Sequence, residues 1–153
     1  TIARLLSLSY QYPNTVCGNV IRKIQTAGNT FLSYKKWTKI NVMPVNSSYQ
    51  NVAIGCGGIY YPSHWYGDSL LDCELFSEYC PSADDLWLKA NELKEHIKVT
   101  GGGEFYPRPI ELPKTQDDSL QKQNNGKLNL NDSQWGALNR LWKLDELYLE
   151  MGK

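Results

Sequence analysis

The spacing of apolar residues along the chain predicts three helices. Over residues 2–12 it is close to helical, and Pro13 ends this helix because the residue before a proline avoids the helical region. The same spacing over residues 132–149 predicts a single final helix. Residues 82–93 are predicted as a third helix, with Ser82 as its N-cap and two carboxylates in the first turn, where the helix dipole favours them.

Short apolar and β-branched runs predict strands between these helices. Residues 15–24 form the clearest run, and residues 40–45 and 97–99 form shorter ones. In residues 52–62 two apolar runs flank a glycine cluster, which predicts a strand, a tight glycine segment and a second strand. The polar residues 46–51 are predicted as a loop.

Residues 104–131 differ in composition from the rest of the chain. They are rich in Gln, Asn, Lys and Asp, and they contain several prolines. This composition predicts one long polar loop. Loops of this length are usually functional or disordered, so we expect the segment to be mobile.

Length, composition and charge narrow the class of protein. The chain has 153 residues, the size of one domain, and 41% of them are hydrophobic, as in a globular protein with a packed core. Lysine plus arginine and aspartate plus glutamate number 16 each, so no basic excess indicates nucleic acid or an anionic membrane as a partner. No stretch approaches the roughly 20 apolar residues of a transmembrane helix. The first residues lack the sustained apolar run of a signal peptide.

The four cysteines follow no metal-binding or redox pattern. Cys17, Cys56, Cys73 and Cys80 form no Cys-x-x-Cys pair, and the chain has only two histidines. Such spacing argues against a structural zinc site and suits reduced thiols in a cytosolic protein. The sequence leaves open a disulfide between Cys73 and Cys80.

The glycine cluster is the first candidate for function. Glycines at 55, 57 and 58 surround Cys56 and remove side chains where the backbone bends or where a ligand approaches closely. The structural alternative is a β-bulge or a tight turn. The segment is not a P-loop, and it does not complete a dinucleotide-binding fingerprint.

Two further groups of residues are candidates for function. Asp84 and Asp85 open the predicted helix, where they are either a surface helix start or, if one of them faces a cleft, a general base. The second group is aromatic, and its rings could stack on sugars or simply fill the core. It consists of Tyr60, Tyr61, His64 and Trp65, in which the histidine alone is typical of a surface loop.

Four stretches, taken in order, resemble a glycosyltransferase family of bacterial capsule and lipopolysaccharide gene clusters, related to the large GT-A family 2. The resemblance covers most of the chain and is weakest between residues 100 and 125. The stretches are Tyr12-Pro13-Asn14-Thr15-Val16 with Ile21-Arg22-Lys23-Ile24, then Ala53-Ile54-Gly55-Cys56-Gly57-Gly58-Ile59-Tyr60-Tyr61-Pro62, then Cys80-Pro81-Ser82-Ala83-Asp84-Asp85-Leu86-Trp87, and last Asn131-Asp132-Ser133-Gln134-Trp135.

The resemblance implies a fold and a set of roles. It implies an α/β fold, a mixed sheet with packed helices, that forms the second half of a GT-A fold over residues 1–153. Asp85, or failing that Asp84, would be the base that deprotonates the acceptor hydroxyl. The glycine strand pair would place Gly57 and Gly58 beside the acceptor and the donor sugar. Substrate contacts would extend over the neighbouring positions Cys56, Tyr60, Tyr61, His64 and Trp65.

One part of the family pattern is absent from this sequence. Relatives hold Mg²⁺ or Mn²⁺ with an Asp-x-Asp motif that precedes the first helix, and this chain begins after that point. We therefore expect a metal only in the intact enzyme, and we expect this chain by itself to be inactive and to self-associate or pair with the missing half. The expected location is the cytoplasm, with the inner face of the membrane as a further option.

Two functions follow as hypotheses. In the first, the intact protein transfers a sugar from a nucleotide-sugar donor to a saccharide or lipid-linked acceptor in surface polysaccharide synthesis. In the second, the chain is a non-catalytic module that binds carbohydrate or protein through its aromatic residues, and Asp84 and Asp85 only start a helix.

Overall fold

The computed structural model describes residues 2–40, 45–65, 67–101, 120–126 and 129–152. Along this part of the chain a first helix is followed by eight short strands, and then by helices with one further strand among them. In order they are α1 (Ile2–Gln11), β1 (Val16–Gly18), β2 (Ile21–Lys23), β3 (Thr26–Ala27), β4 (Thr30–Phe31), β5 (Thr38–Ile40), β6 (Val45–Ser48), β7 (Asn51–Ala53), β8 (Ile59–Tyr60), α2 (Cys73–Tyr79), α3 (Asp84–Lys94), β9 (Val99–Gly101), α4 (Leu120–Asn125), α5 (Leu130–Trp142) and α6 (Leu144–Glu150).

The described strands form two sheets and one hairpin. The larger sheet has the order β6-β9-β1-β8 and is mixed, because β1 and β9 are parallel and its other neighbours are antiparallel. The smaller sheet is antiparallel, with the order β5-β2-β7. Strands β3 and β4 pair as a hairpin whose turn contains Gly28 at φ 58°. The predicted α/β class, a mixed sheet with packed helices, is confirmed.

The main hydrophobic core lies where α3 packs against α5 and α6. Leu86, Ala90 and Leu93 of α3 contribute one side of it, and the opposite side includes Leu138 and Leu144. Burying several aliphatic side chains contributes roughly 1.5–3 kcal/mol for each of them. This core fixes the position of α3, and with it the position of the two carboxylates at its first turn.

The predicted strand at residues 15–24 is two strands in two sheets. The chain leaves the larger sheet after Gly18 and enters the smaller one at Ile21. At the crossing, the Asn19 amide N–H donates to Gly58 O at 3.2 Å, and the Ile54 N–H donates to Val20 O at 2.9 Å. We call residues 19–20 together with 54–58 the seam, because the chain passes there from β1 to β2 and from β7 to β8, between the two sheets.

The glycine-rich stretch has the predicted order of elements but not the predicted pairing. Strand β7, a short 3-10 turn at Gly55–Gly57 and strand β8 follow one another. However, β7 lies in the smaller sheet and β8 in the larger one, so the two strands do not pair with each other. The stretch is therefore a crossing between sheets.

The loop predicted at residues 46–51 is wrong. Val45–Ser48 and Asn51–Ala53 are strands, and Asn51 is only 1% exposed. Its side-chain amide donates at 2.8 Å to the carbonyls of Asn46 and Val99. A buried amide whose donors are satisfied costs little, so a polar sequence here forms sheet.

Two predictions for the last third of the chain need correction. Part of the predicted loop at 104–131, residues 104–119, lies outside the described residues, but Leu120–Asn125 is helical and α5 already begins at Leu130. The predicted single final helix is broken at Lys143, which has a left-handed φ of 51°.

Three further observations concern membrane-spanning helices, the cysteines and the exposed face of helix α1. Within the described residues, no helix is long and apolar enough to cross a membrane. None of the four cysteines forms a disulfide, so the Cys73–Cys80 bridge left open by the sequence is not formed, with Cys73 exposed and Cys80 buried. Helix α1 exposes Ile2, Leu6 and Tyr10, which are spaced four residues apart on one face. Self-association stays a prediction.

Candidate active site

The acidic motif and the glycine segment lie against each other. The backbone N–H of Gly55 donates a 2.8 Å hydrogen bond to Asp85 Oδ1. A Cβ placed on Gly55 would lie 3.2 Å from Asp85 Oδ1 and 4.0 Å from Asp84 Oδ2, so both carboxylates face this glycine. Gly55 and Asp84 are exposed, whereas Asp85 is half-buried. The arrangement leaves one partly covered carboxylate, that of Asp85, beside an exposed glycine.

The start of α3 is held from outside the helix. Ala83 occupies the N-cap position and offers no side-chain hydrogen bond. The predicted N-cap, Ser82, is wrong, because its side chain and backbone are bonded elsewhere. Its N–H donates to Gln134 Oε1 at 2.9 Å, and its hydroxyl donates to Asn124 Oδ1 at 2.8 Å.

Burial raises the pKa of Asp85 to about 6. The negative charge of Asp84 raises this pKa further, whereas the Gly55 N–H and the charge of Arg22 lower it. A carboxylate with a pKa near the working pH is both ionised at neutral pH and able to accept a proton. These are the properties that a general base requires.

Arg22 is a member of this site that the sequence analysis did not identify. It lies on β2, the central strand of the smaller sheet, with its guanidinium 4.4 Å from the centre of the Tyr34 ring. One guanidinium nitrogen, Nη1, donates to Tyr34 O at 3.4 Å. Burial raises the pKa of Tyr34, an effect that Arg22 opposes and that the charges of Asp85 and Cys56 reinforce. Arg22 thus supplies, from the smaller sheet, a cation whose charge acts on Asp85.

A buried ion pair continues the acidic face of α3. Lys89 is 0% exposed and Glu92 is 2% exposed, and Lys89 Nζ lies 3.1 Å from Glu92 Oε2. These residues follow Asp85 at helical spacings of four and seven, so all three share one side of the helix. Burial raises the pKa of Glu92 to about 7 despite Lys89, and the charge of Asp85 raises it further. Burial lowers the pKa of Lys89.

This pair was also missed by the sequence analysis. A lysine and a glutamate three residues apart on a helix are typical of a solvent-exposed face. The only signal available was their place between Leu86 and Leu93, which are core residues.

The predicted aromatic group divides into different environments. Tyr61 stacks on Trp65 with ring centres 4.9 Å apart, and Trp65 is only 5% exposed. Burial raises the pKa of Tyr61, and the charges of Glu92, Asp85 and Asp84 raise it further, so this phenol lies beside the acidic side of α3. The other two residues lie elsewhere: Tyr60 packs near Leu5, Leu8 and Cys17, and His64 is exposed on a loop.

The structure explains why glycine occupies positions 57 and 58. A Cβ on Gly57 would lie 2.5 Å from Val20 Cγ2, and Gly58 has a φ of 85°, which side chains rarely adopt. Gly55, which the sequence analysis counted in the glycine cluster but did not place beside the substrates, is the glycine next to the carboxylates. Cys56 beside it is exposed and lies close enough to Tyr34 for its charge to affect that phenol.

The described residues offer no group of three or more His, Cys, Asp or Glu side chains that could hold a metal ion. The divalent metal expected for the intact enzyme stays a prediction. Comparison with protein-family models, curated proteins and solved structures gave no match to this chain.

Proposed function

We propose that this chain is the acceptor-side part of an inverting, nucleotide-sugar-dependent glycosyltransferase of the GT-A type. The observation that supports it most is the contact between Gly55 and Asp85, because it joins two of the four stretches that carry the family resemblance. The raised pKa of Asp85 supports its assignment as the base. The donor would be a nucleotide sugar, and the acceptor a saccharide or a lipid-linked saccharide.

The reaction needs one proton acceptor from this chain. Asp85 takes the proton of the acceptor hydroxyl as the hydroxyl oxygen forms its bond to the anomeric carbon of the donor. The bond from that carbon to the diphosphate breaks, and the nucleotide diphosphate leaves with the electron pair. Because Gly55 N–H already occupies one lone pair of Asp85 Oδ1, the other carboxylate oxygen is the one available to the acceptor.

Other residues in the site orient groups and adjust charge. Arg22 lowers the pKa of Asp85 and so keeps a larger fraction of it ionised at neutral pH. Tyr61 would donate a hydrogen bond to an acceptor hydroxyl, since burial and neighbouring carboxylates keep its phenol protonated. Among the described residues no group of three or more His, Cys, Asp or Glu side chains could hold Mg²⁺ or Mn²⁺, and the metal of the intact enzyme stays a prediction.

The alternative, a non-catalytic carbohydrate-binding module, receives less support from the aromatic residues. Binding modules need exposed ring faces on which sugars can stack. Trp65 is buried and stacks on Tyr61, so these two rings cover each other. His64 is exposed and lies on a loop.

Sugar transfer by the intact protein that contains this segment tests the proposal. Nucleotide sugars and saccharide acceptors would be screened with Mn²⁺ for the native protein and for Asp85→Asn. We expect Asp85→Asn to transfer at least about a hundredfold more slowly, since a general base contributes roughly 10²–10⁴-fold. The matched control is Glu95→Gln, at the exposed far end of the same helix, which should transfer at the native rate. Equal rates for Asp85→Asn and native protein would refute the assignment.

A further inference from the structure

The first turn of α5 bonds to two separate segments of the chain. Asp132 accepts the Ser33 hydroxyl at 2.5 Å through Oδ2 and the Tyr34 N–H at 2.6 Å through Oδ1. Two residues later, Gln134 accepts the Ser82 N–H at 2.9 Å and donates to the Ser82 hydroxyl at 3.0 Å. A single helical turn therefore anchors both segments at once.

Each anchored segment leads directly to a charged group of the site. Tyr34 lies beneath the Arg22 guanidinium, and its carbonyl accepts from Arg22. Ser82 stands two residues before Asp84, at a helix start that has no side-chain N-cap of its own. The bonds from α5 thus hold the residue before the N-cap of α3 at one segment and support the residue that contacts the arginine at the other.

The anchor is itself rigid. Trp135 and Leu138 of α5 are buried in the main core, where α5 packs against α3. Gln134 and Asn124 are each only 7% exposed, and Asn124 adds a 2.6 Å bond from its amide to Ser82 O. Buried amides with their bonds made hold one orientation, because breaking such a bond leaves a polar group without water.

We propose that Asp132 and Gln134 are positioning residues that set the separation between Arg22 and Asp85 across the site. The proposal rests on the proposed function for its meaning, but its structural content can be tested without sugar transfer. Asp132 fixes the arginine side and Gln134 fixes the carboxylate side. Loss of either would leave Asp85 intact and change what surrounds it.

The amide of Gly55 is the reporter, since it donates directly to Asp85. In NMR spectra of the 153-residue chain, its chemical shift should titrate with Asp85 at about pH 6. Gln134→Met removes both hydrogen bonds to Ser82, and methionine has a volume similar to that of glutamine. In this variant we expect the Gly55 chemical shift to change less over the titration. We also expect hydrogen-exchange protection of the Gly55 amide to fall at least about tenfold. Amides of β1, at the centre of the larger sheet, should keep their native protection.

Two further variants separate positioning from general stability. Asn139→Leu removes a bond at the other end of α5, where its side chain accepts the Asp145 N–H at 2.9 Å. It should lower global stability without altering the Gly55 titration. Gln134→Glu keeps the acceptor for the Ser82 N–H and should restore much of the native titration.

The outcomes that decide the proposal are distinct. A native Gly55 titration in Gln134→Met would overturn it, as would an equal change in Asn139→Leu. Should Gln134→Met fail to fold, the decision passes to Asp132→Asn, which loses an acceptor for Ser33 and weakens the hold on Tyr34. Arg22 lowers the pKa of Asp85. If Arg22 is held less firmly in Asp132→Asn, the midpoint of the Gly55 chemical-shift titration should therefore move to higher pH. An unchanged midpoint there would overturn the proposal, whereas absence of sugar transfer would bear only on the proposed function.

Discussion

The Gly55 amide and the Asp85 carboxylate form a hydrogen bond across 30 positions of sequence. It ties the turn between the two sheets to the first turn of α3. The bond leaves Asp85 with one anchored oxygen, and the neighbouring charges of Asp84 and Arg22 act on its pKa in opposite directions. Much of the behaviour expected of the site follows from this contact.

Replacing Asp85 should stabilise the protein at neutral pH. The pKa of Asp85 is raised from 3.8 to about 6 in the folded chain, so the folded state binds its proton more tightly than the unfolded state does. The contribution of this carboxyl to stability is therefore complete below about pH 4 and is lost as pH rises through 6. At 1.36 kcal/mol per unit and allowing for partial exposure, the loss is about 2 kcal/mol.

Urea unfolding of native protein and Asp85→Asn at pH 4 and pH 8 measures this effect. Asparagine can still accept the Gly55 bond but has no charge to bury. Between pH 4 and pH 8 the free energy of unfolding should fall by about 2 kcal/mol less in the variant than in the native protein. Glu92 is present in both proteins, and because the charge of Asp85 helps to raise its pKa, its own loss of stability with rising pH is also smaller in the variant, in the same direction. An identical pH dependence would show that Asp85 is not strained by burial.

Breaking the Lys89–Glu92 pair should cost far more than removing it. Lys89→Met leaves the buried Glu92 without its cation, which costs roughly 3–5 kcal/mol, whereas replacing both residues by apolar ones is often neutral or stabilising. We expect Lys89→Met/Glu92→Leu to unfold at a urea concentration close to that of the native protein. The single variant should regain stability at acidic pH, as Glu92 takes up a proton.

A double-mutant cycle in urea measures that difference. Lys94→Met is a suitable control, because Lys94 lies on the same helix but bonds to Ser69 and contacts the Trp142 ring outside the site. A double variant as unstable as Lys89→Met would contradict the expectation.

Two neighbouring glycines should respond differently to alanine. Gly57→Ala drives a methyl group into Val20 at 2.5 Å, and overpacking of this kind costs about 1–3 kcal/mol. Gly55→Ala meets only the Asp85 oxygen at 3.2 Å, so the fold should be nearly as stable as native. Its effect should be on the Asp85 titration. Thermal unfolding and the NMR titration of both variants test this, and a large stability loss in Gly55→Ala would contradict it.

Nucleotide sugars should bind this chain only weakly. The sequence contains neither an Asp-x-Asp motif nor a glycine-rich phosphate-binding loop. We expect dissociation constants in the millimolar range or weaker, corresponding to about −4 kcal/mol at best. Calorimetry with Mn²⁺ and a panel of nucleotide sugars measures them. A micromolar affinity would mean that the donor site lies within these residues.

The sequence predicts elements whose cause is local. Helix α3 has carboxylates in its first turn and apolar residues at helical spacing, and the structure has it at Asp84–Lys94. Helix α2 also had a local signal that was overlooked. Asp72 is a favoured N-cap type, and its side chain accepts the backbone N–H groups of Glu74 and Leu75.

Features that depend on distant contacts could not be predicted in this way. The polar sequence around Asn51 predicts a loop, because the sequence does not reveal that the carbonyl of Val99 accepts a hydrogen bond from this side chain. The sequence predicts Ser82 as a helix N-cap, because it does not reveal that Gln134, 52 positions later, forms hydrogen bonds with this residue. The acidic motif was identified from its own residues, but Arg22, whose charge acts on it, lies 63 positions earlier, on a strand that the resemblance included without giving this arginine a role.

The seam has a consequence for how the chain folds. Its hydrogen bonds join residues far apart in sequence. One example is the 2.9 Å bond from the side-chain amide of Asn19 to Gly57 O, which spans 38 positions. Closing such loops costs entropy before any contact repays it, so contacts of this range form late and slow the folding rate. Gly55 reaches Asp85 only from this crossing. A partly folded intermediate with α3 already formed would therefore hold its two carboxylates in water, with ordinary acidity, until the sheets have docked.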